Sequence, residues 1–384
     1  MKTNDGDAFS RSIGVPFFSP SITKKDKQAI FKALESPLLT DGPKLREFES
    51  AFAKFTGAKF AVGVSNATSA LHLAIKSIGI GNGDEVIIPD MTFVATASAV
   101  LLAGATPVLA DINEDLNIST KSIEQSITSK TKAILPVHFA GKPCDMTSIR
   151  RIAKKNKLII IEDCAHAIGA RYNKKHVGIF GSAGCFSFYP TKNITSIEGG
   201  MITTNSKEIA KYVSTLRNHG ILKSLRERYT HGKPWDYDVL EPGYNYRLDE
   251  IRSALGLSQL KRINELNSDR EKAFEYYNSK LNNVKGIITP KIGKDMQESF
   301  HLYIIRIQKE YKTSRDSLFK KMLTRGIRTS VHYKPLHEFT VFKRKAKIYD
   351  KLENSKRAYK EVISLPFYPQ ISQKQQDKVI KCIV

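Results

Sequence analysis

The sequence is poor in cysteine, in acidic side chains and in long apolar runs, and each shortage excludes something. Four cysteines in 384 residues, Cys144, Cys164, Cys185 and Cys382, stand far apart with no C-x-x-C pair. That spacing offers neither a zinc site nor a disulfide framework and fits a reducing, cytoplasmic setting. No apolar stretch reaches the ~20 residues needed to cross a bilayer. The most apolar one, 97–110, is interrupted by Gly104 and Pro107. Residues 1–11 are polar and include acids, unlike the basic-then-apolar start of a secretory signal. Low-complexity blocks are missing too, which argues against disorder. Acidic residues number 38 against 61 basic ones, a net charge of +23. The basic residues are scattered, for example over 24–27, 150–155, 226–228 and 343–345, whereas a nucleic-acid reader concentrates them on one element. The expectation is a solvated basic surface, with no nucleic-acid or membrane partner, that can attract small anionic substrates.

What is present is an alternation of helix and strand signals. Apolar spacing predicts helices at 27–36 and 45–56, a strand at 60–64, a helix at 68–78 and a strand at 85–88. A helix at 92–103, a strand at 133–137, a helix at 147–155 and a strand at 158–162 follow. Continuous apolar strands between amphipathic helices indicate a mainly parallel sheet covered on both faces. Two further strands, 184–188 and 201–204, come without an intervening helix, so the sheet is expected to be mixed. A long periodic segment at 247–281 reads as a helix between two lobes. Beyond it are a strand at 301–307 and helices at 314–325 (stopped by Gly326), 356–364 and 373–383. The expected organisation is an N-terminal arm (1–22), a large α/β domain (23–246), a linking helix (247–282) and a smaller C-terminal α/β domain (283–384).

In an open α/β sheet, ligands bind at the carboxyl ends of strands, and three unusual clusters fall there. The first is the small polar turn Ser65-Asn66-Ala67-Thr68-Ser69 between a strand and a helix. It is either a plain helix cap or an anion site built from backbone N–H groups and the Thr68 and Ser69 hydroxyls. The second is Glu162-Asp163-Cys164-Ala165-His166 after a buried apolar strand. Asp163 is a helix cap, a partner for a cationic ligand atom or part of a metal site, although no other His or Cys stands at ligand spacing. The third is Lys192, just past the aromatic-rich Phe186-Ser187-Phe188-Tyr189-Pro190-Thr191 and before Glu198-Gly199-Gly200. It is an ordinary surface lysine, or one desolvated by its neighbours and able to form a Schiff base. The glycine-rich Gly79-Ile80-Gly81-Asn82-Gly83 follows a helix and precedes a strand, the reverse of a dinucleotide-binding turn.

Six motifs in register extend this pattern. They are Asn66-Ala67-Thr68-Ser69-Ala70-Leu71-His72, Pro89-Asp90-Met91-Thr92-Phe93, Glu162-Asp163-Cys164-Ala165-His166-Ala167, Ser187-Phe188-Tyr189-Pro190-Thr191-Lys192, Glu198-Gly199-Gly200 and Pro242-Gly243-Tyr244-Asn245-Tyr246-Arg247. Together they resemble the DegT/DnrJ/StrS family of pyridoxal-phosphate (PLP)-dependent nucleotide-sugar aminotransferases, over nearly the whole chain. The resemblance implies an aspartate aminotransferase-like α/β fold (fold type I) whose large mixed-sheet domain binds PLP. It implies that Lys192 holds the cofactor as a Schiff base and shuttles the proton, and that Asp163 pairs with the pyridine nitrogen. Thr68, Ser69 and Ser187 would bind the phosphate, Phe93 would stack on the ring, and His166 would lie near the phenolic oxygen. Asn245 would reach the phosphate of a neighbouring subunit, so a homodimer with shared active sites is implied. His332, Tyr333 and His337 occupy a run where the family often contacts substrate, and no metal is expected. Two departures stand out: Ser196-Ile197 replace a commoner Thr-Gly, and Cys164 replaces Ala. The implied reaction moves an amino group, with L-glutamate as donor, to a keto group such as C4 of a UDP- or dTDP-linked 4-keto sugar. A keto-inositol or other cyclic-ketone aminotransferase and a non-catalytic PLP-binding regulator are the alternatives.

Overall fold

The structure, a computed structural model, describes residues 14–222, 225–230, 235–239 and 241–384. Among them, nine strands succeed one another through the first part of the chain: β1 (Phe60–Val64), β2 (Glu85–Pro89), β3 (Thr106–Ala110), β4 (Thr131–Ile134), β5 (Ile159–Asp163), β6 (Arg171–Tyr172), β7 (Lys175–His176), β8 (Ala183–Ser187) and β9 (Gly200–Thr204). Later come β10 (Ile287–Ile288), β11 (Met296–Gln297), β12 (Tyr303–Ile307), β13 (Lys347–Ile348) and β14 (Val362–Leu365). An eight-stranded sheet runs in the order β1-β9-β8-β5-β4-β2-β3-β13. Each pairing from β13 across to β8 is parallel. Only β9 opposes its neighbours, pairing antiparallel with both β8 and β1. β8 and β9 lack a crossover helix between them, and a direct return must run antiparallel. The carboxyl ends of β1, β2, β5 and β8 therefore meet along one edge.

The strands are apolar because both faces are covered. Val86, Ile87 and Ile88 are fully buried, with the helices Ala67–Ser77 and Val94–Leu102 packed into the same core on one side. On the other side, Phe48 and Phe52 of the helix Pro43–Thr56 stack around Phe186 and Phe188. A second core forms around the three-stranded sheet β10-β12-β14, lined by Tyr277, Tyr303, Leu318 and Val379.

Besides short strands and the helices Thr120–Gln125, Lys207–Leu216 and Leu225–Thr230, which the sequence reading did not include, three elements depart from it. β3 was not expected, because Pro107 appeared to break the run; it sits opposite Val86 within a regular parallel register. The segment expected as one long helix is two, Glu250–Leu260 and Ile263–Leu281. The break lies where buried Asp26 takes hydrogen bonds from Ser258, Gln259 and Arg262. The helix expected at 356–364 is Glu353–Glu361, after which the apolar Val362–Leu365 straightens into β14 and pairs with β12. The stop at Gly326 is as expected: the helix Arg315–Thr324 ends there, with Gly326 at φ 71°.

Candidate active site

Asp163 is the last residue of β5 and is almost fully buried. Its Oδ2 accepts a hydrogen bond from Thr96 Oγ1 at 2.9 Å and its Oδ1 accepts from the Ala165 N–H at 3.1 Å. Burial pushes its carboxyl above the usual carboxylate range, and those two donors and the nearby charges of Lys192 and His138 pull it back. Glu162, one residue earlier, faces the other way, as alternation along a strand requires. Its oxygens accept from the N–H groups of Gly178, Phe180 and Gly181 and face His138 Nε2 at 3.1 Å. His138, Glu162 and Cys164 could hold a metal by proximity, but these bonds already use the carboxylate lone pairs.

Lys192 lies past β8 and is half-buried. Burial pushes its ammonium down to about 8, with Asp163 pulling upward. No described residue bonds its Nζ. Its charge is felt by three buried or partly buried imidazoles, those of His166, His301 and His332. His166 is buried and its ring is held well below the ordinary range by burial and by Lys192. Its Nδ1 accepts from the Ala140 N–H at 3.3 Å, which leaves the proton on Nε2, 3.1 Å from Tyr333 Oη. His332 is pushed down to about 3 by burial and the charge of Lys192, and its Nδ1 lies 2.7 Å from Ser364 Oγ. His301 packs 4.4 Å from the His166 ring.

The polar turn after β1 is held by Asn66, whose Oδ1 accepts from the Ser69 N–H at 2.8 Å and from Ser69 Oγ at 3.0 Å. The first N–H groups of the helix Ala67–Ser77, those of Ala67 and Thr68, are left without an intrahelical partner. Gly200 of β9 pairs with both Val64 and Ser187. A Cβ on Gly200 would lie 2.5 Å from the Asn66 carbonyl carbon, so only glycine lets β9 close on this turn. The register thus brings Thr68, Ser69 and Ser187 together around one helix N-terminus. Phe93, 55% exposed, starts the helix Val94–Leu102 with its ring 5.9 Å from Tyr333.

Two further expected positions have partners of their own within the chain. His337 is engaged by buried Asp90, through Nδ1 to Oδ2 at 2.7 Å and its backbone N–H to Oδ1 at 3.0 Å, which ties the turn Leu336–Glu338 to the end of β2. Asn245 is exposed, bridges to Asn218 and makes no hydrogen bond to Thr68, Ser69 or Ser187 among the described residues. Sequence reasoning missed Thr96, His138 and His301. For Thr96 a signal existed: it stands four residues from Thr92 on a helix otherwise apolar almost all round, and the two hydroxyls are 3.0 Å apart.

The model of the DegT/DnrJ/EryC1/StrS aminotransferase family matches residues 20–384. The chain belongs to this family. The spore coat polysaccharide biosynthesis protein SpsC of Bacillus subtilis is 39% identical over 373 residues, 96% of each chain. Among solved structures, Helicobacter pylori PseC, an aminotransferase involved in the biosynthesis of pseudoaminic acid, superposes with a TM-score of 0.90 at 33% identity, covering 96% of this chain and 98% of that one. Spr1654 of Streptococcus pneumoniae, solved in PMP and PLP forms, gives TM-scores of 0.91 and 0.88 at 30% identity, covering 96% of this chain and 98% and 97% of those. The DegT/DnrJ/EryC1/StrS fold is thus the α/β architecture of PLP-dependent aminotransferases, and PLP is the cofactor of this enzyme. The residues present fit that group. Among the described residues, a helix N-terminus offers unpaired N–H groups to a phosphate, a buried acid has no cation hydrogen-bonded to it, and a half-buried amine has no hydrogen-bond partner.

Proposed function

We propose that this aminotransferase moves an amino group from L-glutamate to the keto carbon of a nucleotide-linked sugar, C4 of a UDP- or dTDP-4-keto sugar. The observation that carries the reading is the convergence of Lys192 and Asp163 beside the open helix start at Ala67–Thr68, on the common carboxyl edge of β1, β5 and β8. The sugar acceptor is supported by the roles printed for SpsC and PseC, in polysaccharide and pseudoaminic acid biosynthesis.

The bound cofactor supplies an electron-withdrawing ring that acidifies the carbon bearing the amine. This chain's residues do the rest. Ala67, Thr68, Ser69 and Ser187 take the phosphate at the positive end of a helix. Asp163, fixed by Thr96 and Ala165, holds a proton on the pyridine nitrogen. His166, locked as the Nε2–H tautomer, donates a hydrogen bond toward the phenolic oxygen side, and Phe93 covers the ring. Lys192, with its ammonium near 8, is unprotonated often enough at neutral pH to take a proton and to return it, the requirement for a general acid–base. Exposed Asn245 reaches the phosphate of a neighbouring subunit in a homodimer, and Tyr333 and His332 face the acceptor. The large and small domains divide near residues 246 and 283, so the larger one holds the cofactor and the smaller one brings Tyr333 and His332 to it.

The test is to incubate the enzyme with glutamate and a panel of nucleotide-linked ketosugars and to identify the product. An amine at C4 of a UDP- or dTDP-sugar is expected. Transfer only to a keto-inositol, or none to any ketone, overturns the proposal.

A further inference from the structure

A cavity of about 380 Å³ is lined in part by Phe139 and Ala140 of the turn Phe139–Gly141; neither Lys192, Asp163 nor His166 lines it. Its size falls within the roughly 300–1,000 Å³ typical of small-molecule sites. The walls are mixed: Leu116, Phe139, Phe274, Leu302 and Ile304 are apolar, while Glu114, Asp115, Lys142, Lys291, Glu298 and Arg306 are charged. Arg306 is paired with Glu114 and Glu361, and among the lining residues only Glu298 has a buried side-chain atom without a partner. Glu298 is 7% exposed, its Oε1 is buried without a hydrogen-bond partner, and no described cation forms an ion pair with it. Burial pushes its carboxyl up to about 7, Lys142 draws it down, Asp115 raises it again and the backbone N–H of Gly293 lowers it. Lys142 is occupied elsewhere: its Nζ donates to the Lys291 carbonyl at 2.9 Å and lies 3.7 Å from Asp115.

A buried carboxylate oxygen without a partner is costly, and one kept in the wall of a partly apolar cavity leaves a place for a positive charge. A single carboxylate is too few ligands for a metal ion. We propose that this cavity binds a small organic ammonium ion with an apolar body, its N–H⁺ on Glu298 and its hydrocarbon against Phe274, Leu302 and Ile304. The site shares a wall with the catalytic centre. Ala140 lines the cavity and gives its N–H to His166 Nδ1, while Phe139 lines it and packs 5.9 Å from the Tyr333 ring. Next to them, Gly141 at φ 96° leaves no room for a side chain, since a Cβ would lie 2.5 Å from Ser299 Oγ and 3.1 Å from the His166 carbonyl oxygen. The inference does not rest on the identity of the sugar.

The probe is N,N-dimethylbenzylammonium, a tertiary amine that cannot condense with an aldehyde, titrated calorimetrically into the holoenzyme at about pH 8, where it is charged. Saturable binding, one per chain, is expected. Glu298→Gln and the uncharged N,N-dimethylbenzamide should each weaken it at least about tenfold. Leu302→Trp, which fills the chamber and leaves the acid in place, should abolish it, so the proposal stays testable if Glu298→Gln does not fold. The proposal is overturned by no saturation up to roughly 10 mM, by equal affinity of the amide, or by binding that survives in Leu302→Trp.

Discussion

Replacing Asp163 with Asn should make Lys192 a better nucleophile at neutral pH while it ruins catalysis. In the native protein burial lowers the Lys192 ammonium to about 8 and the Asp163 charge opposes that fall. Removing one nearby opposite charge lowers a lysine by roughly one unit, at the small end of the usual range. At pH 7 the unprotonated share of Lys192 is then expected to rise from about a tenth to about a half. Cofactor-free protein mixed rapidly with PLP, followed by absorbance, reports this share as the rate of covalent loading. The native profile should climb about tenfold between pH 6 and 7 and flatten above its midpoint. Asp163→Asn should load about fivefold faster at pH 7 and little differently at pH 9, although its amino-transfer rate collapses. A midpoint that stays in place or moves upward refutes the coupling of the two groups. The same shift has a stability consequence. The folded-state value lies below the ~10.4 of an unfolded lysine, so the unfolded chain binds more protons between these values. Stability of the cofactor-free protein should therefore increase with pH across that window and fall again as pH drops through about 8.

Further outcomes follow from the geometry. Lys192→Ala should stop transfer yet retain the native circular dichroism spectrum; residual turnover at the native rate would remove Lys192 from its role. Gly200→Ala drives a methyl into the Asn66 carbonyl and should weaken PLP binding at least about tenfold, about 1.4 kcal/mol or more, in a fluorescence titration; unchanged affinity would show that the turn is not the phosphate site. Ile197 is a β-branched residue at φ 69° and 54% exposed. Ile197→Gly should therefore raise the unfolding free energy in a urea titration, by about 1 kcal/mol at most once the added freedom of the unfolded chain is subtracted, and a lowered value would contradict the strain.

The elements visible in the sequence were those with one strong period. The continuous Leu158-Ile159-Ile160-Ile161 run gave β5 because a doubly covered parallel strand needs no alternation. β3 was obscured by Pro107, since a proline argues against an interior strand by the ladder bond it cannot donate, and only the assembled sheet shows the residue accommodated. The break at Lys261 and Arg262 is set by Asp26, more than two hundred residues away, which no local window senses. For the site, a lysine after an aromatic strand and an acid after an apolar one could be picked out because each is chemically out of place. His301 and His138 could not, being single polar residues in apolar surroundings whose meaning is given by the group they face; Thr96 was marked only by its spacing from Thr92. His337 shows the converse: an imidazole in a loop-like run whose ring is committed to Asp90.

Glu162 and Asp163 are neighbours in sequence that look in opposite directions, one tying down the 178–181 loop and the other poised toward Lys192. Gaining or losing a single amino acid within β5 would swap their orientations, leaving the loop amides without an acceptor and aiming the wrong acid at the reaction centre. Insertions can accumulate in the surrounding connections, but the length of this one strand is a fixed count.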